Sequence, residues 1–374
     1  MSIFYEIEFA KYILPYQKNM DYSNWLMQPP YHWTQDEKEA HYVPLLFELT
    51  SHHCHCCQPY GQAIQTLYEK NRRYDSSNQI PMLPISLFKT EELKSIPDSE
   101  IFKVITSSGT SGVASHLYLD AFNAQNQQLA LYNIVKDFIG SSRLPMLIVD
   151  TPDILKNRDA FNARGAAVLG FSIFAKRKYY ALKPDLSVDL ESIRTFIQTY
   201  RNQPVLIFGF TFMIWQYLCE ALANYPGLID LSNAILIHGG GWKKMQDRAV
   251  SPHEYKKRLY EQFQIHKVHN YYGMAEQTGC IYMECEQGHL HASIFSDIII
   301  RNPENFSVCP IGETGIVQVL TPLATSYPGH SILTEDMGTL LGIDDCPCGR
   351  LGKYFRIDGR MAKAEIRGCS DAHN

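Results

Sequence analysis

Between residues 100 and 345, short apolar runs closed by turn-forming residues alternate with stretches of helical length. This rhythm constrains the fold more than any other feature of the chain. The runs are Leu144–Val149, Val168–Phe174, Val205–Phe210, Ala234–Ile237 and Ile316–Leu320, and helical stretches such as Leu190–Tyr200 and Thr211–Ala223 lie between them. Unbroken apolar runs read as strands buried on both faces, and strands separated by helices read as parallel sheet with helices on either side. The expected fold class is therefore α/β, with mainly parallel sheets covered by helices. Ligands in such sheets sit at the carboxyl ends of strands. Two loops meet that rule: Thr106–Gly112, behind Ile101, Phe102, Val104 and Ile105, and His238–Lys244, behind Ala234–Ile237. A third, Tyr271–Gly279, follows the less apolar stretch Ile265–Asn270.

The loops carry the chemistry. Thr106-Ser107-Ser108-Gly109-Thr110-Ser111-Gly112 holds five hydroxyl side chains and two glycines in seven residues. Glycines let backbone N–H groups close around an anion, and hydroxyls add donors without charge, which suits the phosphates of a nucleotide. No Gly-Lys-Ser/Thr follows, so the loop is not a P-loop. Taken alone it reads equally well as a Ser/Gly turn. The second loop, His238-Gly239-Gly240-Gly241-Trp242-Lys243-Lys244, resembles the oxyanion-hole run of some α/β-hydrolases. Those enzymes also need a Gly-x-Ser-x-Gly elbow. The nearest candidate, Gly109-Thr110-Ser111-Gly112-Val113, lacks the final glycine and precedes the His-Gly-Gly-Gly run instead of following it. Three glycines after a strand leave bare backbone on which a flat ring such as adenine can lie.

Charge and composition narrow the classes further. A formal net charge of −5 supplies no basic field for nucleic acid. The most apolar stretch, Val205–Trp215, is far shorter than the roughly 20 residues that span a bilayer. Met1–Glu8 lacks a basic region followed by an apolar run, and ten cysteines in 374 residues are too sparse for a disulfide scaffold. The expectation is a reducing, cytoplasmic protein whose cysteines are thiols or metal ligands. The first hundred residues read as mainly helical and irregular, with helix-like patterns over Lys38–Leu49 and Gln62–Asn71. His52-His53-Cys54-His55-Cys56-Cys57 suggests a metal cluster, but successive helical residues point in different directions, so most of the six cannot share one ion.

Four motifs then occur in order: the loop Thr106–Gly112; Tyr271-Tyr272-Gly273-Met274-Ala275-Glu276-Gln277-Thr278; Thr334-Glu335-Asp336; and Gly359-Arg360. Together they resemble the adenylate-forming superfamily of acyl-CoA synthetases, peptide-synthetase adenylation domains and firefly luciferase. Within it the chain is similar to the phenylacetate-CoA ligase branch, and most of all to the acyl-protein synthetases of bacterial bioluminescence fatty-acid reductase complexes. His-Gly-Gly-Gly-Trp-Lys-Lys, Tyr-Tyr-Gly-Met-Ala-Glu-Gln-Thr-Gly and the ending Glu365-Ile366-Arg367-Gly368-Cys369-Ser370-Asp371 carry the closer match, which covers roughly residue 80 to the end. The resemblance implies three regions: a mainly helical one over 1–99, an adenylate-forming α/β core over 100–358, and a short tail over 359–374 in place of the usual lid domain.

It also implies roles. Ser107, Ser108, Gly109, Thr110, Ser111 and Gly112 would cradle the β- and γ-phosphates of ATP. Glu276 would supply the carboxylate near Mg²⁺, with Thr278 as a further candidate. Gly239, Gly240 and Gly241 would lie along adenine, with Tyr272 and Gly273 beside it and Tyr272 stacking on the ring. Asp336 would accept from both ribose hydroxyls, although an aspartate in this context also fits a helix or turn cap. Arg360, and after it Arg356, would approach from the C-terminal side. Only Met361–Asn374 follow Arg360, so the lysine that the usual lid domain brings to the carboxylate has no counterpart; Lys363, Lys243 and Lys244 are substitutes among which the sequence does not choose.

Cys369, in a Gly-Cys-Ser context near the end, is the candidate acyl acceptor, because a thiolate can take an acyl group from an adenylate as a thioester. Cys280, beside the glutamate loop, is the fallback; an incidental tail thiol is the plain alternative. Cys285, His291, Cys346 and Cys348 make a Cys3His set that suits a structural Zn²⁺, with His289 able to replace His291, and reduced core cysteines as the other reading. The expected function is an ATP-dependent acyl-protein synthetase that activates a long-chain fatty acid as acyl-AMP and passes it to a cysteine. The resemblance further implies a reductase partner that takes the acyl group, a transferase that supplies the acid, and an oligomeric assembly. An acyl- or aryl-CoA ligase is the alternative.

Overall fold

A computed structural model of the chain describes residues 22–68, 74–106, 115–155, 163–223 and 229–361. Its strands are β1 (Leu83–Pro84), β2 (Lys103–Thr106), β3 (His116–Leu119), β4 (Leu144–Val149), β5 (Ala175–Tyr180), β6 (Val205–Phe210), β7 (Ala234–Gly239), β8 (Lys267–Tyr272), β9 (Tyr282–Glu284), β10 (Leu290–His291), β11 (Asp297–Arg301), β12 (Thr314–Leu320), β13 (Ser331–Ile343) and β14 (Lys353–Arg360). One twelve-stranded sheet runs β11-β12-β13-β14-β10-β9-β8-β7-β6-β4-β5, with β1 paired alongside β13. From β5 to β8 every pairing is parallel, as the alternation of strands and helices requires.

Every residue of β4, β6 and β7 is buried. Their alternate side chains enter different cores, as the two-residue period of a strand dictates. Met146, Ile148, Leu206, Phe208, Ile235 and Ile237 meet Ile134 and Val135 of the helix Ala121–Ile139 and Phe171 of the helix Ala163–Phe171. Leu147, Val149, Val205, Ile207, Ala234 and Leu236 meet Ile193 and Phe196 of Leu190–Tyr200, and Tyr255 and Leu259 of Pro252–Phe263. Burying one such side chain contributes roughly 1.5–3 kcal/mol, so this two-sided layer is what fixes the carboxyl edge of β6, β7 and β8 in space.

Beyond β8 the sheet turns antiparallel through β9, β10, β14, β13, β12 and β11. This extension bears Asp336 and Arg360. The N-terminal segment is bound to it. Thr34 and Glu37 form a reciprocal capping box at the start of the helix Gln35–Cys56. One turn on, the buried Lys38 donates to the carbonyls of Ala292 (3.3 Å) and Ser296 (3.2 Å) and lies 3.7 Å from Asp297 Oδ1. Lys353 donates to the other Asp297 oxygen at 2.8 Å. Burial pulls the Lys38 ammonium down to about 8; burial alone would raise the Asp297 carboxyl, but Lys353 and Lys38 outweigh it and hold it below the usual range.

Three sequence expectations change in the structure. Val168–Phe174 is not a strand: it closes the helix Ala163–Phe171 and the 3₁₀ turn Ser172–Phe174, and β5 starts only at Ala175. Val168, Phe171 and Phe174 are buried while Leu169 is 47% exposed, a helical spacing that outweighs the apolar run. Ile316–Leu320 is a strand, but an antiparallel one. Finally, β2 does not belong to the large sheet; it pairs with β3 in a separate two-stranded sheet, Thr106 opposite His116, so the hydroxyl-rich loop joins the strands of a hairpin. His53 also resolves the histidine–cysteine run: it is fully buried, with Nδ1 2.7 Å from Ser95 Oγ and Nε2 3.0 Å from the Ala324 carbonyl, which makes it a satisfied core residue.

Candidate active site

Asp336 lies within β13, directly opposite Arg360 of β14, so a helix-cap or turn role is excluded. Both of its carboxylate oxygens have donors. The Tyr272 hydroxyl, from the carboxyl end of β8, donates to Oδ2 at 2.7 Å, and Arg360 Nε donates to Oδ1 at 3.2 Å. The Asp336 amide donates to Thr334 Oγ1 at 3.1 Å, and that hydroxyl donates to the Val317 carbonyl at 2.7 Å. A carboxylate held by a donor on each oxygen and still partly exposed (17%) can accept a pair of vicinal hydroxyls without reorganising. The Tyr272 ring is wedged against Tyr282 and Phe355, and burial raises its phenol well above the ordinary value, so it stays a donor.

Glu276 occupies the 3₁₀ turn Ala275–Gln277 and is buried. Burial raises its carboxyl; its own backbone amide and the Arg360 charge oppose that rise, and Asp336 adds to it. The Tyr327 hydroxyl donates to the Glu276 carbonyl at 2.8 Å, and Gln277 Nε2 donates to the carbonyls of Gly329 (2.8 Å) and Val319 (3.3 Å). The turn is thus bolted to β12 and to the segment before β13. Thr278 spends its hydroxyl on the Ala275 carbonyl at 2.7 Å, and Gly273 follows β8 directly, beside Ile281.

The glycine run ends β7. A Cβ on Gly239 would stand 2.6 Å from the Tyr271 ring, and one on Gly240, whose φ is 79°, would stand 2.5 Å from the Phe210 ring. These two glycines are demanded by their own packing. Gly241, with φ 61° and nothing within 4 Å of its Cβ position, is the one that faces open space. Thr211 Oγ1 donates to the Gly239 carbonyl (3.1 Å) and lies 2.9 Å from His238 Nδ1, which anchors the edge from behind. Burial drives the His238 imidazole down to about 3, so it is neutral there.

The structure thus brings Tyr272, Asp336 and Arg360 into contact, and the charges of Arg360 and Asp336 act on Glu276. Arg356 goes elsewhere: it pairs with Asp358 at 2.6 Å. Ser107, Ser108, Gly109, Thr110, Ser111, Gly112, Lys363 and Cys369 lie outside the described residues, as do the side chains of Lys243 and Lys244. Cys280 fails as an acyl acceptor. It is fully buried, its thiol lies 3.1 Å from Thr321 Oγ1 and 3.6 Å from the Phe295 carbonyl, and burial pushes it up to about 12.

The Cys3His set converges. One ligand atom each from Cys285, His291, Cys346 and Cys348 lies within 4.8 Å of the others, although Cys285 and Cys346 are 61 residues apart. Cys285 follows β9, His291 lies in β10, and the two other cysteines fill the turn between β13 and β14. His291 Nε2 is 3.4 Å from Cys348 Sγ, and Tyr354 stacks on the His289 and His291 rings. His289 Nδ1, 3.3 Å from Cys346 Sγ, keeps its place as the alternative nitrogen. Three sulfurs and one imidazole at this separation fit a tetrahedral zinc with no open position. Sequence reasoning missed what Tyr327 and Gln277 do. Single polar residues of these types carry no signal of their own, and only the fold shows what they hold.

The family profile described as LuxE, acyl-protein synthetase, matches residues 20–374. The long-chain-fatty-acid–luciferin-component ligase of Vibrio harveyi is 23% identical over 357 residues, covering 92% of this chain and 90% of that protein. The Aliivibrio fischeri protein of the same name is 22% identical over 359 residues, with the same coverage. Among solved structures, the chain resembles 2-hydroxyisobutyryl-CoA ligase in an open conformation with 2-HIB-AMP and CoA: TM-score 0.65, 16% identity, 89% of this chain and 77% of that one. For the same ligase in the postadenylation state with 2-HIB-AMP, the TM-score is 0.66 at 16% identity, over 89% of this chain and 70% of that one. At such identity the likeness carries the fold, that of an adenylate-forming ligase.

Proposed function

The chain belongs to the LuxE family of acyl-protein synthetases, and from that premise we propose that this ligase activates a long-chain fatty acid with ATP and transfers the acyl group to the thiol of Cys369. The observation that carries the reading is the clamped Asp336, held by Tyr272 and Arg360 beside the buried Glu276. In the first step a fatty-acid carboxylate oxygen attacks the α-phosphorus of ATP. A carboxylate–phosphorus bond forms, the α–β bridge breaks, and its electron pair leaves with pyrophosphate. Asp336 accepts from the ribose hydroxyls, Tyr272 and Arg360 keep it aimed, the Gly241 edge offers a face to adenine, and residues 107–112 wrap the terminal phosphates. Glu276 is the side chain that would hold Mg²⁺, whose charge offsets that of the phosphates.

In the second step the Cys369 thiolate attacks the acyl carbon; the carbon–sulfur bond forms as AMP departs with the electron pair, and the thiol proton passes to solvent. The described cysteines support that choice. Of these nine described cysteines, only Cys56 is exposed, and it ends the helix Gln35–Cys56 beside His52. We place the reaction in the cytoplasm, in a fatty-acid reductase assembly with a reductase that consumes the thioester and a transferase that supplies the acid; no described helix is long and apolar enough to cross a membrane. The regions 1–99, 100–358 and 359–374 then serve as support, adenylation core and acyl-bearing tail. Radiolabelled fatty acid with ATP tests the reading. Label on the protein with AMP released is the expected result. Label on free coenzyme A would transfer the reading to a CoA ligase, and absence of AMP would end both.

Zinc at Cys285, His291, Cys346 and Cys348 would tie the strand after the glutamate turn to the turn behind Asp336. Protein purified without chelator is expected to hold one zinc per chain by elemental analysis. Cys346→Ser is expected to lose it and to melt several degrees lower, because metal binding to a closed site is folding free energy. A metal-free preparation with an unchanged melting temperature would refute the assignment.

A further inference from the structure

The Cys3His set is open on one side. Cys285, His291 and Cys346 are buried, whereas Cys348 is half-buried. Of the four, Cys348 alone lines a surface cavity of about 450 Å³, whose wall also holds Tyr31, His32, Asp137, Glu286 and Arg350. A water molecule takes up about 30 Å³ in the liquid, so hydrogen peroxide, with its two oxygens, enters such a cavity without rearrangement. Arg350 fixes the wall: Nε donates to Asp137 at 3.0 Å, Nη1 donates to Glu286 at 2.9 Å, and the guanidinium lies 4.3 Å from the centre of the Phe138 ring. Behind Cys348 stand two further sulfurs. Those of Cys285 and Cys346 are 4.0 Å apart, and both lie within 4.8 Å of Cys348 Sγ. A sulfur open to solvent with another thiol directly behind it is the arrangement of an oxidant-sensitive cysteine.

We propose that Cys348 is a site of oxidative modification: hydrogen peroxide entering this cavity oxidises it, and the set then releases its zinc. The inference rests on the reading of Cys285, His291, Cys346 and Cys348 as a zinc site. The Cys348 sulfur attacks one peroxide oxygen. A sulfur–oxygen bond forms, the oxygen–oxygen bond breaks, and its electron pair leaves as hydroxide, which takes a proton from solvent. Cys348 is oxidised to a sulfenic acid as the peroxide is reduced. The thiolate of Cys346 or Cys285 then attacks the sulfenic sulfur; a disulfide forms, the sulfur–oxygen bond breaks, and its oxygen leaves as a second water. With two of the four ligands joined to each other, the set no longer closes around the ion. Discharge removes the tie between the segment after β9 and the turn between β13 and β14. Thiol exchange reverses the disulfide, so zinc returns on reduction.

The test exposes the purified full chain to hydrogen peroxide, follows released zinc with a zinc-binding dye, and maps oxidised cysteines by peptide mass spectrometry with dimedone as the sulfenic-acid trap. Release of about one zinc per chain is expected, with Cys348 trapped first and zinc retaken after dithiothreitol and added Zn²⁺. Cys348→His keeps a zinc ligand but removes the oxidisable sulfur, and is expected to slow release about tenfold. Cys56, exposed and outside the set, reports that peroxide reached the protein. If the untreated chain holds no zinc, the metal reading falls and the inference with it. If zinc is present and stays bound while Cys56 is oxidised, the inference is wrong and the zinc site stands. Release at the wild-type rate from Cys348→His, or trapping of Cys285 or Cys346 before Cys348, would also overturn it. Should Cys348→His fail to load zinc, the order of oxidation in the wild-type chain decides alone.

Discussion

Cys369→Ser is expected to form acyl-AMP at the wild-type rate and to carry no acyl label. The two steps separate because they use different atoms. On the proposed reading adenylation uses Asp336, Tyr272, Arg360, Glu276 and residues 107–112, and none of these contains Cys369. Acyl retention depends on a thiolate. A serine hydroxyl stays protonated near neutral pH and is a weak nucleophile without a base beside it. Nine Cα–Cα steps separate Arg360 from Cys369 (369 minus 360), and full extension gives about 30 Å of reach, enough to cross a nucleotide site from the Asp336–Arg360 edge. On the wild-type protein, neutral hydroxylamine should release the label, as it does from a thioester. Full hydroxylamine-labile label on Cys369→Ser would move the acceptor elsewhere, and Cys280 is no longer a credible destination, being sealed in the core with its thiol pushed up to about 12.

What the sequence made legible follows a physical line. Leu144–Val149 and Val205–Phe210 could be read as strands because burial on both faces leaves an unbroken apolar run. Val168–Phe174 looked the same and was not, since a short run cannot distinguish a two-residue from a helical period without its neighbours. The antiparallel extension was hidden for a different reason. Its register joins residues distant in sequence, such as β10 with β14, and no local pattern announces a non-local partner. The site divides in the same way. The Cys3His set was legible because its residue types are rare and chemically committed. Glu276, Asp336 and Arg360 could be singled out only through the order of their motifs, and the structure places Arg360 on Asp336. That Tyr272 grips Asp336 through its hydroxyl was not legible, because the two residues lie on strands distant in sequence that do not pair, and that Arg356 turns to Asp358 depends on side-chain geometry along β14.

Asp336→Ala is expected to lower fatty-acid-dependent ATP–pyrophosphate exchange by at least tenfold with the fold intact. The reasoning starts from the carboxylate as it stands. With Tyr272 on one oxygen at 2.7 Å and Arg360 on the other at 3.2 Å, it is aimed before any ligand arrives. A ribose that donates both hydroxyls to it gains charge-assisted contacts, each worth roughly 1.5–3 kcal/mol, so losing one such contact corresponds to about ten- to a hundredfold. Alanine also takes the carboxylate acceptor away from the Tyr272 phenol and the Arg360 guanidinium. Graded variants separate these contributions. Asp336→Asn keeps an acceptor for one donor but presents an amide to the other, so it should fall between wild type and alanine. Tyr272→Phe keeps the ring against Tyr282 and Phe355 and removes only the grip on Oδ2, so its loss should be the smallest of the three. Glu276→Ala should match Asp336→Ala in size through the cation side of ATP instead of the ribose. Its loss should be seen with 2′-deoxy-ATP as well as with ATP, whereas Asp336→Ala should discriminate little between the two, having already lost the contact that the 2′-hydroxyl makes. Near-normal exchange in both alanine variants would remove the nucleotide from this corner of the fold, and with it the assignment of every residue around Asp336.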